Sequence, residues 1–179
     1  MPQNTVALDA DAIARTLTRI AHEIAEQTAA DGAPLAIVGI HRRGAVLARR
    51  IHAELTKLTG SAPLSGDIDI AFYRDDLGRR AAQPTVSASN IDFEIDGATV
   101  VLVDDVLYTG RTIRAAVNEL FDFGRPASVQ LAVLVDRGGR ELPIAAAYAA
   151  ARIVLPPSQR LSLARTADGR FSFAVREKA

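Results

Sequence analysis

The 179-residue chain is 49% hydrophobic, enough for one sizeable core and a single domain spanning 1–179. Its 21 basic and 21 acidic residues cancel, which excludes a global positive field that would draw it onto nucleic acid or an anionic membrane. No cysteine is present, which removes disulfides, thiol catalysis and Cys-based zinc sites and suits a cytoplasmic protein. No stretch approaches about 18 consecutive apolar residues, and MPQNTVALDA lacks a basic region followed by an apolar run, so neither membrane insertion nor export is expected.

From Asp9, placed as an N-cap, Ile13, Leu17, Ile20 and Ile24 recur at helical spacing until Asp31-Gly32-Ala33-Pro34 ends the element. Leu35 to Ile40 (LAIVGI) is short and fully apolar, as a central parallel strand is. After His41-Arg42-Arg43-Gly44 a helical pattern runs through Val46, Leu47, Ile51 and Leu55. Asp67 to Tyr73 (DIDIAFY) alternates and predicts a strand, whereas Arg74 to Ala88 is polar without apolar period and predicts a mobile loop. Thr99 to Val103 is a second buried strand, Ile113 to Phe121 a helix, and Ser128 to Val135 a third strand after a Gly124-Arg125-Pro126 turn. Ala145 to Leu155 could add an edge strand, and Leu161–Ala164 could pair with Phe171–Val175 across Asp168-Gly169. Strands alternating with helices predict an α/β fold: a mostly parallel central sheet flanked by helices.

In such sheets ligands lie beyond the carboxyl ends of the strands, where three polar segments converge. After the second strand come Asp104 and Asp105, then Tyr108-Thr109-Gly110-Arg111-Thr112 at a helix start. Gly110 lets backbone approach a ligand, and free N–H groups with the Thr109 and Thr112 hydroxyls suit a monoester phosphate. The two carboxylates suit vicinal ribose hydroxyls and, partly through water, a Mg²⁺ ion that also touches substrate phosphates. A helix N-terminus contributes only about 0.3 to 2 kcal/mol per charge, too little alone for a bis-phosphorylated sugar, hence the expected cation. The competing reading is structural: the acids end a strand and cap a helix. No Walker pattern, GxGxxG or GxSxG is present, so ATPase, dehydrogenase and α/β-hydrolase chemistries lack their parts.

Val100 to Thr112 (VVLVDDVLYTGRT) resembles the phosphoribosyl-pyrophosphate (PRPP) signature of type I phosphoribosyltransferases. That resemblance implies a parallel sheet with a flexible active-site loop and a small hood, and Mg²⁺-assisted displacement of pyrophosphate by a nitrogen nucleophile. It implies that Asp104 and Asp105 serve catalysis on the ribose side, that Thr109 to Thr112 bind the 5′-phosphate, and that Tyr108 belongs to the same PRPP-binding loop. His41, Arg42, Arg43 and Gly44 match the pyrophosphate loop, although taken alone an HRRG turn is a solvated basic corner. Purine-using relatives carry a carboxylic acid where Tyr108 stands, which favours a pyrimidine.

Further segments, LTRIAHE, DIDIAFYRDDL and GRPASVQLAVLVDRGGRELPI, resemble PyrR-type pyrimidine operon regulators with uracil phosphoribosyltransferase activity. They imply Asp136 and Arg137 at the base, Tyr73 and Arg74 on the flexible loop, and PRPP, uracil and UMP or UTP as ligands. They also imply a homo-oligomer and pyrimidine operon leader mRNA as a partner, contacted by Thr18, Arg19 and His22. Arg15, Arg19 and His22 form one polar stripe, which on spacing alone reads as a solvated helix face and in an assembly could be an interface. Three departures bear on RNA: His41-Arg42 replaces the regulators' Lys-Thr, Ala145 and Ala151 replace basic residues, and the tail beyond Tyr148 diverges. Two other functions stay open: an RNA-binding attenuator with incidental catalysis, and an orotate or purine phosphoribosyltransferase. His41 is read as a phosphate or RNA contact because no carboxylate partner is visible, and Arg137, Arg140 and Glu141 taken alone form a surface salt-bridge cluster.

Overall fold

A computed structural model describes residues 5–71, 88–165 and 170–177. Tyr73 and Arg74, expected on the flexible loop, and the Asp168-Gly169 turn lie outside the described residues. The elements run β1 (Thr5–Leu8), α1 (Ala10–Thr28), β2 (Leu35–Ile40), α2 (Arg43–Thr59), β3 (Leu64–Ile68), β4 (Thr99–Leu107), α3 (Arg111–Phe121), β5 (Ser128–Asp136), β6 (Tyr148–Arg152), β7 (Gln159–Arg165) and β8 (Phe171–Glu177).

Five strands form a parallel sheet in the order β3-β2-β4-β5-β6. The apolar runs alternate between two faces. Ile37, Val101, Val103, Ala132 and Leu134 pack with Ile13, Leu17, Ile20 and Ile24 of α1 and Leu47, Ile51 and Leu55 of α2. Ala36, Val38, Val100, Leu102, Leu131 and Val133 pack with Ile113, Ala116 and Leu120 of α3. Each large aliphatic side chain so buried contributes about 1.5–3 kcal/mol. Asp9 caps α1 as expected, accepting the Ala12 N–H at 2.7 Å. β6 is the expected edge strand, its Tyr148 fully buried with the hydroxyl bonded to the side chains of Gln27 and Gln130.

Two expectations move. The DIDIAFY strand is displaced to Leu64–Ile68, because β3 pairs in parallel with β2 only as far as Ile40↔Ile68. Beyond that the Asp69 carboxylate accepts the Ala71 N–H and turns the chain, while Ile70 still buries its side chain. The strand read as ending at Val103 continues to Leu107, paired with β5 alone once β2 has run out at Gly39↔Val103. Asp104 and Asp105 therefore lie inside a strand.

β7 and β8 form the expected antiparallel pair and join β1 in a second sheet, β1-β8-β7, whose Leu163, Phe171 and Phe173 complete the core beneath α1. β1 escaped sequence reading: four residues paired with Ala174 and Val175 carry no local signal of a partner so distant.

Candidate active site

The chain leaves the sheet in opposite directions after β2 and after β4, towards β3 and β5, so the crevice between their carboxyl ends is the topological switch point. β4 outruns β2 there, and its acidic pair borders the notch. Asp104 is 8% exposed, with Oδ1 accepting the Asp105 N–H at 2.8 Å; Asp105 Oδ1 accepts the Val106 N–H at 2.9 Å. Burial, reinforced by the charge of Asp105, holds the Asp104 carboxyl well above its ordinary value; the Asp105 N–H and the Arg43 guanidinium oppose this. A positive charge placed beside it would relieve that cost.

Across the notch, β2 turns into α2 through His41-Arg42-Arg43-Gly44, with a cis His41–Arg42 peptide. A side chain at Gly44 would collide with the Val103 carbonyl, and one at Gly39 with the backbone of Ala45. Those two glycines let the loop fold down against β4. Arg43 reaches Asp105 (Nη1–Oδ2 3.3 Å), bringing the two predicted loops into direct contact. His41 has a carboxylate partner after all: its Nε2 donates to Asp67 Oδ1 at 2.5 Å. Asp67 was read only as a strand residue, and the signal that finds it is the parallel register, which sets it beside Gly39.

β4 then bends into α3 at Gly110, whose φ of 93° is ordinary only for glycine. Thr109 Oγ1 accepts the Arg111 N–H at 3.2 Å, and the Thr109 carbonyl accepts from Glu141 and Leu142. The first N–H groups of α3 have no partner earlier in the helix, as at any helix start. Thr112 sits in this first turn, while Arg111 turns outward to Glu141 (2.6 Å).

The loop after β5 is built differently. Arg140 forks onto both oxygens of Asp136 at 2.6 Å and donates to the carbonyls of Tyr108 and Ile144, both at 2.8 Å. Burial raises the Asp136 carboxyl, but the Arg140 hydrogen bond and the Gly138 N–H outweigh it and hold it below its usual value. Arg137 is 5% exposed and lies 3.7 Å from the Tyr108 ring centroid, with Nη2 donating to the carbonyls of Pro156 and Gln159. Its Nε is buried without a partner among the described residues. A side chain at Gly139 would strike the Tyr108 ring, so that ring is held between Arg137 and the Gly138-Gly139 turn. Tyr108 thus packs into the loop after β5, and the tail supplies the carbonyls that fix Arg137.

Thr18, Arg19 and His22 are exposed on α1. Arg19 pairs with Glu23 and donates to the Ala149 carbonyl of β6 at 3.1 Å. A cavity of about 660 Å³ at the amino end of the sheet, between Ala25, Leu35, Leu55 and Phe93, is bordered by Glu94 and Asp96 and by no basic side chain among the described residues. Among the described residues no helix is long and apolar enough to cross a membrane, and no cluster of three or more His, Cys, Asp or Glu side chains could hold a metal alone.

A notch of this build, acidic on the β4 side and basic on the β2 side, is what a phosphoribosyltransferase requires. The family model described as Phosphoribosyl transferase domain matches residues 6–153. The Bifunctional protein PyrR of Roseiflexus sp. (strain RS-1) is 56% identical over 155 residues, 87% of this chain and 84% of that protein. Its namesake from Clostridioides difficile (strain 630) is 45% identical over 179 residues, 99% of this chain and all of that one. The hypoxanthine phosphoribosyltransferase of Trypanosoma cruzi superposes with a TM-score of 0.71 over 97% of both chains at 18% identity, a likeness of fold. The chain belongs to the phosphoribosyltransferases and, within them, to the PyrR family.

Proposed function

We propose that this protein transfers the 5-phosphoribosyl group of PRPP to uracil, forming UMP and pyrophosphate. The observation that carries the reading is the juxtaposition, across the β2/β4 notch, of Asp104-Asp105 and the Gly110 helix start with the His41–Gly44 loop. The Thr109 and Thr112 hydroxyls and the N–H groups opening α3 hold the 5′-phosphate. Asp104 and Asp105 accept hydrogen bonds from the ribose hydroxyls, and Arg42, Arg43 and His41 receive the pyrophosphate, whose C1′–O bond breaks as uracil N1 bonds to C1′ and gives up its proton. Tyr108, Asp136, Arg137 and the Gly138-Gly139 turn shape the base end. Such positioning supplies on the order of 7–11 kcal/mol toward the barrier.

Mg²⁺ fits this donor set. A buried acid strained by its neighbour gains from a cation, and two carboxylates without a third ligand suit an ion that keeps water and substrate phosphates in its shell. When bound, it would neutralise charge on the departing pyrophosphate. Pyrophosphate release measured with uracil, orotate and purines, with Mg²⁺ present or chelated, tests the reading: uracil should be used and chelation should abolish turnover. Use of orotate or a purine alone would overturn the base assignment.

A second activity, binding pyrimidine operon leader mRNA under control of UMP or UTP in an oligomeric cytoplasmic protein, is favoured by the exposed row of Thr18, Arg19 and His22 and by the bifunctional naming of the relatives. Arg19 is partly engaged by Glu23 and Ala149, and Arg140 is committed to Asp136, so fewer cations are left to meet phosphate. Leader-RNA binding at low salt, with and without UMP, checks it, and sedimentation checks the assembly.

A further inference from the structure

The pyrophosphate loop is strung between two carboxylates from the strands on either side of β2. On the β4 side Arg43 meets Asp105; on the β3 side His41 meets Asp67. The second anchor is the firmer one. The Asp67 backbone is clamped in both directions by Asn90, through Asp67 N–H to Asn90 O at 3.0 Å and Asn90 N–H to Asp67 O at 2.8 Å. The His41 backbone N–H donates to the Ile68 carbonyl at 2.9 Å, tying the same residue to the same strand twice. Side chains of His41 and Asp67 are 21% and 23% exposed, so the contact is shielded without being sealed. Among the described residues, the Arg42 side chain between the two anchors makes no ion pair and is exposed.

A carboxylate that accepts from Nε2 fixes both the orientation of an imidazole and which nitrogen carries the proton there. We infer that Asp67 is a positioning residue for pyrophosphate, acting through His41: it holds the imidazole and the loop that carries it in the shape that receives the leaving group. This rests on the phosphoribosyltransferase reading above and adds to it a residue outside the PRPP signature. Binding then costs less loop ordering, and the benefit falls on PRPP and pyrophosphate, not on the base.

The test compares Asp67→Ala, Asp67→Asn and His41→Ala with the double variant Asp67→Ala/His41→Ala in the full chain. It reads pyrophosphate and PRPP binding by calorimetry, and KM for PRPP and for uracil. Asp67→Ala should weaken PRPP and pyrophosphate about tenfold, the loss of one charge-assisted hydrogen bond, with the uracil KM unchanged. Asp67→Asn, whose side-chain oxygen still accepts from Nε2, should recover most of it. In the His41→Ala background Asp67→Ala should have no further effect, because the two act as one unit. The same tenfold loss with His41 already absent would make Asp67 a merely structural residue and overturn the inference, as would unchanged binding in Asp67→Ala. A wild-type chain that binds neither PRPP nor pyrophosphate would overturn the site reading and this inference together.

Discussion

β4 and β5 lie side by side and each carries an acid near its carboxyl end, yet the two acids are driven in opposite directions. Asp104 is buried beside another carboxylate and its proton affinity is raised; Asp136 is gripped by Arg140 and its proton affinity is lowered. The β4 end leaves a buried carboxyl beside a like charge, whereas the β5 end neutralises its own. On the proposed reading, the groups that would face a ligand sit at a strand end held ready at a cost in stability, and the neighbouring loop would supply the rigid wall.

The largest effect that sharpens this contrast comes from Asp104→Asn. Uracil-dependent pyrophosphate release should fall by about 10²- to 10³-fold, on the scale of losing one preorganised electrostatic contact. The same change should raise the melting temperature at neutral pH. Because the folded chain binds the Asp104 proton more tightly than the unfolded chain, the native carboxyl destabilises the fold above the raised folded value. That penalty fades as pH falls toward the ordinary 3.8, so the advantage of the Asn variant should vanish there. Melting curves across pH check the sign, and an unchanged or lowered melting temperature at neutral pH would break the comparison.

Asp136→Ala should do the reverse. It strands the Arg140 guanidinium that also holds Tyr108 and Ile144, and should cost about 1–3 kcal/mol in denaturant unfolding. For the wild-type pair the stabilisation is present above pH 3.8 and lost as pH falls through the lowered folded value of Asp136, so the variant and wild type should converge in acid. The uracil KM should rise while PRPP binding holds.

Between the two lies Gly110→Ala. Forcing a side chain to a φ of 93° costs about 1–2 kcal/mol and presses on Leu142 and Ile144, each 3.3 Å away, so it should weaken PRPP severalfold and loosen the base wall as well. Calorimetry with PRPP measures the first effect and uracil kinetics the second. Smallest for catalysis is Arg19→Ala: kcat should be unchanged, while leader-RNA affinity, if the exposed α1 row is used, should drop with a salt slope about one unit shallower.

The central sheet and the β4–α3 loop were legible because their signals are local: apolar runs broken by acids, a glycine before a helix, a capping aspartate. What escaped is what depends on partners distant in the chain. β1 shows its pairing only against β8, and Asp67 meets His41 only once the parallel register is known. The absence of a visible carboxylate beside His41 was an absence in sequence neighbourhood, not in space. Arg137 and Arg140 read alone as surface charges; the former is buried against Tyr108 and the latter stitches the 136–144 loop together. The strand end at Val103 was placed early because acids commonly terminate buried strands, and here pairing with β5 carries the ladder on to Leu107.

The ring of Tyr108, held between a guanidinium and a glycine turn, has one more consequence. The chain contains no tryptophan and three tyrosines, so its ultraviolet emission is not swamped by indole. A ring pressed against Arg137 is a built-in optical reporter: on the proposed reading, titrating nucleobase or nucleotide into the unlabelled protein should perturb tyrosine fluorescence, and a Tyr108→Phe variant in a Tyr73→Phe background should silence that signal while Tyr148, sealed in the core, keeps its own.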